Sequence, residues 1–255
     1  MPYWGIYLKS LSFNALQIGA LLSLFQISRI FAPNVLGWVA DQSGEYIKWI
    51  KISSFFGFII FMGIFWSNTF VNIFVVMMAM SIFTSSTLPL AESLTLAHLK
   101  ANKADSKYSH IRLWGSIGFI VAALSLGVII DSYGERSLIY ALLITQLVIF
   151  FLAFILPEKK INFTKFNKRS IWPILKKREV IVLLLSCALM VSSHGLLYNF
   201  YSIFLEDQGY SGATIGLLWS VGVVFEILIF LLMPKILSKF TLKSVLLISI
   251  AFAVL

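Results

Sequence analysis

Seven apolar runs divide the sequence, and each is long enough to cross a lipid bilayer, which takes about 20 helical residues. Hydrophobic residues make up 59% of the 255 residues and charged residues only 12%. One globular core of this size cannot bury so much apolar surface. The pattern predicts an all-α, polytopic membrane protein with complete spans at 15–39, 47–66, 70–97, 108–131, 136–156, 179–205 and 212–237.

Both ends of the sequence look like interrupted spans. Residues 1–4 read as the last turns of an earlier helix and carry neither the basic segment nor the cleavage site of a signal peptide. The final stretch, SVLLISIAFAVL, covers about half a crossing. We therefore expect the chain to be a fragment of a longer membrane protein.

Basic residues are distributed unevenly among the loops, although the net charge is +9. Most of them lie in the 157–178 connection and in the other loops on that side, whereas the opposite side has only Lys9 and Arg136. The positive-inside rule makes the basic loops cytoplasmic in a multi-pass protein, which we expect in a bacterial inner membrane. Topology and attraction to anionic lipid headgroups explain this charge, so we expect no nucleic-acid partner.

A weak internal repeat appears when the chain is shifted by 197 positions. YWGIYL (3–8) then faces FYSIFL (200–205), IGALLS (18–23) faces IGLLWS (215–220), and Arg29 faces Glu226. Duplicated membrane folds place their binding site between the two halves. We expect an N-terminal six-helix bundle at 1–156 with an incomplete first helix, a basic linker at 157–178, and a partial C-terminal bundle at 179–255.

Four ionisable residues interrupt the apolar runs, and they need partners. Each costs about 2.5–3.5 kcal/mol if it faces lipid from the middle of a helix. Arg29, Glu92, Arg112 and Glu226 must therefore face one another, water or a ligand. His194 shares a helix face with Tyr198 and Tyr201; it is either a hydrogen-bonded interior histidine or a proton carrier.

Two local motifs resemble the major facilitator superfamily. GWVADQSGEYIK (37–48) resembles its G-x-x-x-D-x-x-G loop, which implies that Gly37, Asp41 and Gly44 take part in conformational change. Gln42, Glu45 and Tyr46 replace the usual basic residues there. LPLAES (88–93) with HIRLWGSIGF (110–119) resembles the proton-coupled sugar permeases of the lactose permease type, which implies ligand contacts from Glu92, Arg112 and Phe119.

A narrower resemblance involves most of the chain. RLWGSIGFI together with residues 194–230 is similar to the 3-phenylpropionic acid transporter group of that superfamily, as is the opening YWGIYLKSLSFNALQIG. It implies the major facilitator fold, of which this chain holds the end of helix 1 through the start of helix 9 of 12. It also implies a secondary active transporter that imports a small organic solute with protons, an aromatic or other monocarboxylate.

The resemblance and the chemistry together assign roles. A carboxylate needs a guanidinium, which Arg29 or Arg112 supplies, and an aromatic ring needs stacking surfaces. The candidates for stacking are Phe25, Trp114, Phe119, Tyr198 and Trp219. A coupling proton needs a group whose pKa burial moves toward neutrality, for which Glu226 is preferred over Glu92 and His194. The residues assigned to conformational change are Gly37, Asp41 and Gly44 of the G-x-x-x-D-x-x-G loop.

Two alternatives stay open from the sequence. The first is sugar or nucleoside symport, if Glu92 and Arg112 bind hydroxyl groups; the second is a non-transporting membrane sensor or a gene fragment. An enzyme is not expected, since the sequence has no Gly-rich phosphate loop, no metal-ligand cluster, and no nucleophile with a suitably spaced base. We therefore expect no cofactor and no metal; the partners are a small solute, protons and the bilayer, for a monomeric protein.

Overall fold

The computed structural model describes residues 2–104, 107–157 and 172–254, and this part of the chain is helical without strands. Its helices are α1 (Trp4–Ser10), α2 (Ala15–Ser43), α3 (Tyr46–Met62), α4 (Phe70–Ala101), α5 (Tyr108–Tyr133), α6 (Ser137–Ile155), α7 (Trp172–Leu175), α8 (Arg178–Asp207), α9 (Gly212–Lys239) and α10 (Leu242–Val254). Seven of the described helices, α2–α6, α8 and α9, are long and apolar enough to cross a membrane. The predicted all-α polytopic fold is confirmed.

Local sequence signals set the ends of the long helices. Asn14 and Gln17 form a capping box at the start of α2, each side chain accepting a hydrogen bond from the other residue's backbone N–H. Gly44 ends α2 with a φ of 69°, a left-handed conformation that favours glycine. α2 runs four residues beyond the predicted limit at 39, because polar residues can continue a helix after it leaves the hydrocarbon.

The connecting loops define two ends of the bundle. We call the end with the α2–α3, α4–α5, α6–α8 and α9–α10 connections the lysine-rich end, and the other the lysine-poor end. The predicted linker at 157–178 falls largely on residues 158–171, which lie outside the described residues. The division into bundles at 1–156 and 179–255 stays a prediction.

The helices form a first group, α1–α6, and a second group, α8–α10. In the first group α4 packs against α2 and α3, and α3 also packs against α6. The two groups meet where α5 packs along α9 and α1 packs against α8. These two helix pairs therefore determine how residues from the two groups face each other.

Two hydrophobic clusters occupy opposite ends of the bundle. The cluster toward the lysine-poor end includes residues of both groups, from Tyr3 and Leu8 through Ile130 to Leu205 and Ile215. The cluster at the lysine-rich end draws only on α2, α3, α4 and α6 among the described residues. Apolar packing thus joins the two groups in the lysine-poor half of the described structure.

Candidate functional site

An aromatic cluster lies near the middle of the bundle, where α5 of the first group faces α8 and α9 of the second. The indole of Trp219 stacks on Tyr198, with ring centroids 6.0 Å apart and an interplanar angle of 21°. Phe119 meets the same indole edge-on at 6.5 Å, from across the junction. Three of the predicted binding residues are therefore brought together.

Two further aromatic side chains and one hydroxyl extend this cluster. Tyr201 contacts Trp219 edge-on at 5.7 Å, and His194 stacks on Tyr198 at 6.1 Å. The indole Nε1–H of Trp219 donates to Ser202 Oγ at 2.8 Å, and Ser202 is only 4% exposed. Sequence reasoning missed Ser202, because nothing in the sequence pairs it with an indole on the next helix.

Glu92 and Arg112 form an ion pair between α4 and α5. Arg112 Nε lies 3.9 Å from Glu92 Oε1, and the two side chains are 46% and 37% exposed respectively. Such a long contact between half-exposed groups leaves room for a third polar partner. Arg112 shares a face of α5 with Ser116 and Phe119, at i, i+4 and i+7, about 10 Å along the helix from the aromatic ring.

Arg29 and Glu226, which the internal repeat aligns, do not meet. Both side chains are exposed, and neither forms an ion pair with any described residue. Pro33 lies one turn after Arg29 inside α2, so the Arg29 carbonyl lacks its normal helical N–H donor. Sequence similarity thus aligns the two charges without placing them in contact.

The other two aromatic candidates lie outside the cluster. Phe25 lines a small cavity inside the first group with Trp4, Phe61 and Met80, and it packs against the cluster that begins at Tyr3. Trp114 is 71% exposed and has no described ring partner. Phe25 and Trp114 therefore lie apart from Phe119 and Trp219 in the described structure, and their stacking on an aromatic solute stays a prediction.

The G-x-x-x-D-x-x-G segment lies at the lysine-rich end, between α2 and α3, as expected. The Tyr46 hydroxyl, at the start of α3, donates to the Asp41 carboxylate in the last turn of α2. Gly44 supplies the left-handed turn between them. Gly37 has no atom within 4 Å of the position of a Cβ, so it leaves an open place on the surface of α2.

Polar contacts close the lysine-poor end between the two groups. The Asp131 carboxylate, near the end of α5, accepts hydrogen bonds from Gly212 N at 2.6 Å and Ala213 N at 2.8 Å, at the start of α9. The Tyr3 hydroxyl donates to the Ala123 and Gly212 carbonyl oxygens at 2.7 and 3.0 Å. Sequence reasoning missed all of these contacts.

Lys9 adds an ion-pair network at the same end. Its Nζ lies 2.7 Å from Glu206 Oε2 and 2.5 Å from Asp207 Oδ1. These hydrogen bonds, to Asp207 first and then Glu206, raise the pKa of Lys9 above its ordinary value. Because the folded-state pKa is the higher one, the contribution to stability is present at neutral pH and is lost only as strongly alkaline pH rises through it. Lys9 and Glu206 are also 197 positions apart, the offset of the repeat.

The described contacts between the groups occupy one half of the bundle. All of the hydrogen bonds, ion pairs and ring contacts found between them among residues 2–104, 107–157 and 172–254 lie from Phe119 and Trp219 toward the lysine-poor end. Glu92 and Arg112 lie on the other side of the aromatic cluster. Among the described residues, contacts of these kinds join the two groups at the lysine-poor end, and none joins them toward the lysine-rich end. No group of three metal-ligating side chains occurs in this described part.

Comparison with known proteins gives the same architecture. A model of the MFS_1 like family matches residues 1–255. The chain is 27% identical over 255 residues to the Probable 3-phenylpropionic acid transporter of Escherichia coli (strain K12), covering 98% of this chain and 66% of that protein. It is 24% identical over 265 residues to the Putative nucleoside transporter YegT of the same organism, with 99% and 61% covered.

A solved structure has the same fold. The crystal structure of nucleoside transporter NupG matches with a TM-score of 0.76 at 23% identity, over 95% of this chain and 64% of that chain. At this identity the likeness shows the fold alone. The chain spans 61–66% of the length of these three proteins.

These findings confirm the resemblance on which the sequence analysis relied. The relatives named here are transporters rather than enzymes, and the seven apolar helices make the protein a multi-pass membrane protein. Because the family model matches the whole of the chain, the protein belongs to the MFS_1 like family of the major facilitator superfamily.

Proposed function

We propose that the chain forms the larger part of a secondary active transporter that imports a small organic solute together with protons. The observation that carries this proposal is the aromatic cluster of Phe119, Tyr198 and Trp219 at the junction of the two helix groups. The junction is closed beyond the cluster at one end of the bundle. A site between two groups that open alternately is the arrangement by which duplicated transporters move a solute.

The proposed solute is an aromatic or other monocarboxylate. Its ring packs against Phe119 and Trp219, and its carboxylate binds the Arg112 guanidinium on the same face of α5. The backbone positions of Arg112 and Phe119 are about 10 Å apart along α5, and the long arginine side chain covers part of that distance. Arg29 is a second candidate for the carboxylate, and one relative is named as a transporter of 3-phenylpropionic acid.

A sugar or nucleoside is the second candidate solute. The contact between Glu92 and Arg112 favours it, because a paired acid and base present both acceptors and donors to hydroxyl groups. The name of one relative also refers to nucleoside transport. A carboxylate instead uses the N–H donors of Arg112 that its long contact with Glu92 leaves free.

Glu226 is the proposed proton carrier, with Glu92 and His194 as further candidates. Glu226 forms no ion pair with a described residue, so no fixed partner occupies its carboxylate. His194 Nδ1 lies 2.8 Å from the Met190 carbonyl oxygen, so the ring is already anchored within its own helix. This contact gives the His194 ring a structural partner, whereas the Glu226 carboxylate has no ion-pair partner among the described residues.

The lysine-rich end is proposed to face the cytoplasm, and the 157–178 connection lies there. Lys48, Lys51, Lys100 and Lys103 belong to the loops or helix ends on this side. The positive-inside rule therefore orients the protein with its closed, lysine-poor end outward in a bacterial inner membrane. We propose a monomer, with the bilayer as its surroundings.

Uptake assays test the proposal on the protein as its gene encodes it. Cells or vesicles receive labelled phenylpropionate, a nucleoside and a disaccharide, each with and without a pH gradient. The proposal expects saturable uptake of phenylpropionate that the gradient drives and that Arg112→Ala reduces at least tenfold. Arg136→Ala, which removes an arginine from the lysine-poor end, is the matched control. Uptake of the nucleoside or disaccharide alone would favour the second candidate, and uptake of none would refute the proposal.

A further inference from the structure

A second Gly-x-x-x-Asp segment lies at the opposite end of the bundle from the first. Gly127-Val-Ile-Ile-Asp131 in α5 has the spacing of Gly37-Trp-Val-Ala-Asp41 in α2, 90 positions later. α2 ends at the lysine-rich end and α5 at the lysine-poor end, so the two aspartates mark opposite ends. Inverted three-helix repeats within a six-helix group place their second and fifth helices in this relation.

The α5 segment holds the start of α9. Asp131 accepts hydrogen bonds from the first two N–H groups of α9, and Ser211 Oγ accepts one from Thr214 N. Three of the four N–H groups left free at a helix start are thereby satisfied, and a carboxylate is favoured there by the helix dipole. These bonds are charge-assisted, so they are stronger than bonds between neutral groups.

Glycine residues allow the backbones of α5 and α9 to approach each other closely. A Cβ at Gly127 would collide with the Gly212 carbonyl, and one at Gly216 would lie 2.5 Å from both the Ala123 carbonyl oxygen and the Tyr3 hydroxyl. The α5 and α9 backbones therefore touch directly beside Asp131. Separation of α5 from α9 at this end therefore breaks the hydrogen bonds that join them.

We propose that Asp131, with Tyr3 as its companion, is a positioning residue for transport that holds the lysine-poor end closed. The inference rests on the proposed function, because only a carrier that alternates needs this end to open. Asp131 belongs to the first group of helices and its partners to the second, so separation of the groups must break both bonds. Weakening them shifts the conformational equilibrium toward the state open at the lysine-poor end.

Thiol labelling measures this equilibrium without any solute. Cys187→Ser removes the single cysteine of these 255 residues, any cysteine elsewhere in the protein is replaced too, and Ser220→Cys places a probe on α9, about 12 Å in from its start. Ser220 is 4% exposed and lies below the contact with Asp131. A membrane-impermeant maleimide is applied to right-side-out and to inside-out vesicles of the protein as its gene encodes it. Asp131→Asn should raise labelling from the lysine-poor side about tenfold, and Asp131→Glu should raise it less.

The control variant is Glu135→Gln. Glu135 is an acid in the adjoining α5–α6 connection, and its side chain has no partner among the described residues. It should leave the labelling rate unchanged. Tyr3→Phe removes only a hydroxyl and should raise labelling about threefold, which keeps the test available if Asp131→Asn fails to fold. Unchanged labelling in a folded Asp131→Asn or Tyr3→Phe variant would overturn the inference. Absence of uptake for every solute tested would instead refute the transporter proposal, since labelling needs no solute.

Discussion

At the scale of single residues, the distance from each charged side chain to its ion-pair partner decides whether that side chain can also bind a solute. Lys9 is held by two carboxylates at the lysine-poor end, whereas Arg112 has one distant partner, Glu92, and Arg29 has none among the described residues. A charge that is fully paired serves structure. A charge with open hydrogen-bonding capacity is available to a solute, which singles out Arg112 and Arg29.

The Glu92–Arg112 pair gives the first prediction. In a buried ion pair, loss of either partner leaves an uncompensated charge, at a cost of several kcal/mol. The structure shows half-exposed side chains 3.9 Å apart, for which the coupling is about 1 kcal/mol or less. Glu92→Gln and Arg112→Gln should each therefore leave the yield of folded protein near normal while abolishing solute binding. Size-exclusion profiles and binding of labelled solute to the purified variants check both points.

The double variant separates binding from folding in the same experiment. Glu92→Gln/Arg112→Gln should fold as well as either single variant and should still not bind. Normal binding by Arg112→Gln would remove the pair from the site. A collapse in yield for the single variants, with recovery in the double variant, would instead show that the pair is buried in the membrane.

The second prediction concerns Ser202, which fixes the orientation of the Trp219 indole. Ser202→Ala removes the acceptor at 2.8 Å and leaves an indole N–H unsatisfied, at a cost of about 1–3 kcal/mol. The KM for an aromatic solute should rise several-fold because the stacking surface loses its fixed position. Ser186→Ala, on the same helix, is the control, since that exposed hydroxyl donates only to the Val182 carbonyl. Equal KM values for the two variants would exclude a positioning role for Ser202.

At the scale of helices, the two contacts between the groups differ in character. α1 meets α8 through side chains, including Lys9 and Glu206, which the repeat places at equivalent positions. α5 meets α9 through backbone at Gly127, Gly212 and Gly216. Backbone contact at small residues is typical of helix association in membranes, where lipid is as apolar as leucine.

Two glycines of α9 give the third prediction. Gly216→Ala places a methyl group 2.5 Å from the Ala123 carbonyl oxygen and should destabilise the purified protein by about 1–3 kcal/mol. Gly222→Ala, two turns later, meets no atom within 4 Å and should be neutral or stabilising by up to about 1 kcal/mol. Thermal unfolding of both variants in the same detergent measures the difference. A Gly222→Ala variant that unfolds at the lower temperature would contradict the packing of α5 on α9.

The spans were predictable from the sequence, and the contacts between them mostly were not. Apolar runs fixed α6 within about one residue because the hydrocarbon imposes its length. The Glu92–Arg112 contact is one of the pairings that the cost of an unpaired charge in the membrane allowed. The bonds of Tyr3 and Asp131 join residues 209 and 81 positions apart, and no local pattern encodes which helix faces which. Phe25 shows the same limit, since an aromatic residue on a membrane helix fits either the interior of one group or the junction.

At the scale of the whole molecule, the closed end and the charged loops are on opposite sides of the membrane. Lysines are concentrated at the lysine-rich end, and the bonds between the two groups are concentrated at the lysine-poor end. If the lysine-rich end is cytoplasmic, the described bonds between the two groups lie on the outer side of the membrane.

Orientation gives the fourth prediction. Topology reporters fused after Lys103 and after Lys168 should report a cytoplasmic location, and one fused after Glu206 should report the other side. At each of the three fusion sites, a reporter that is active in the cytoplasm and one that is active in the periplasm should give opposite signals. A periplasmic signal at Lys168 would invert every helix and would make the closed end the cytoplasmic one.

Proton coupling gives the last prediction. Glu226 is the acidic residue of α9, and it has no ion-pair partner among the described residues. Glu226→Gln keeps the shape of the side chain and mimics a permanently protonated carrier. Such a carrier still reorients with solute bound, because the neutral form is the one that crosses. Exchange of internal for external solute should therefore persist, while accumulation driven by a pH gradient should fall to the level of empty vesicles.

Reconstituted vesicles measure exchange and accumulation on one preparation, with Glu135→Gln as the control that retains both. If Glu226 only stabilises the fold, the variant should lose both activities together and elute as aggregate. If Glu226→Gln still accumulates solute against its gradient, the proton does not travel through this residue. The same two assays on His194→Gln then test the next candidate. Because the His194 ring contacts the Met190 carbonyl oxygen, this substitution should lower the stability of the protein as well.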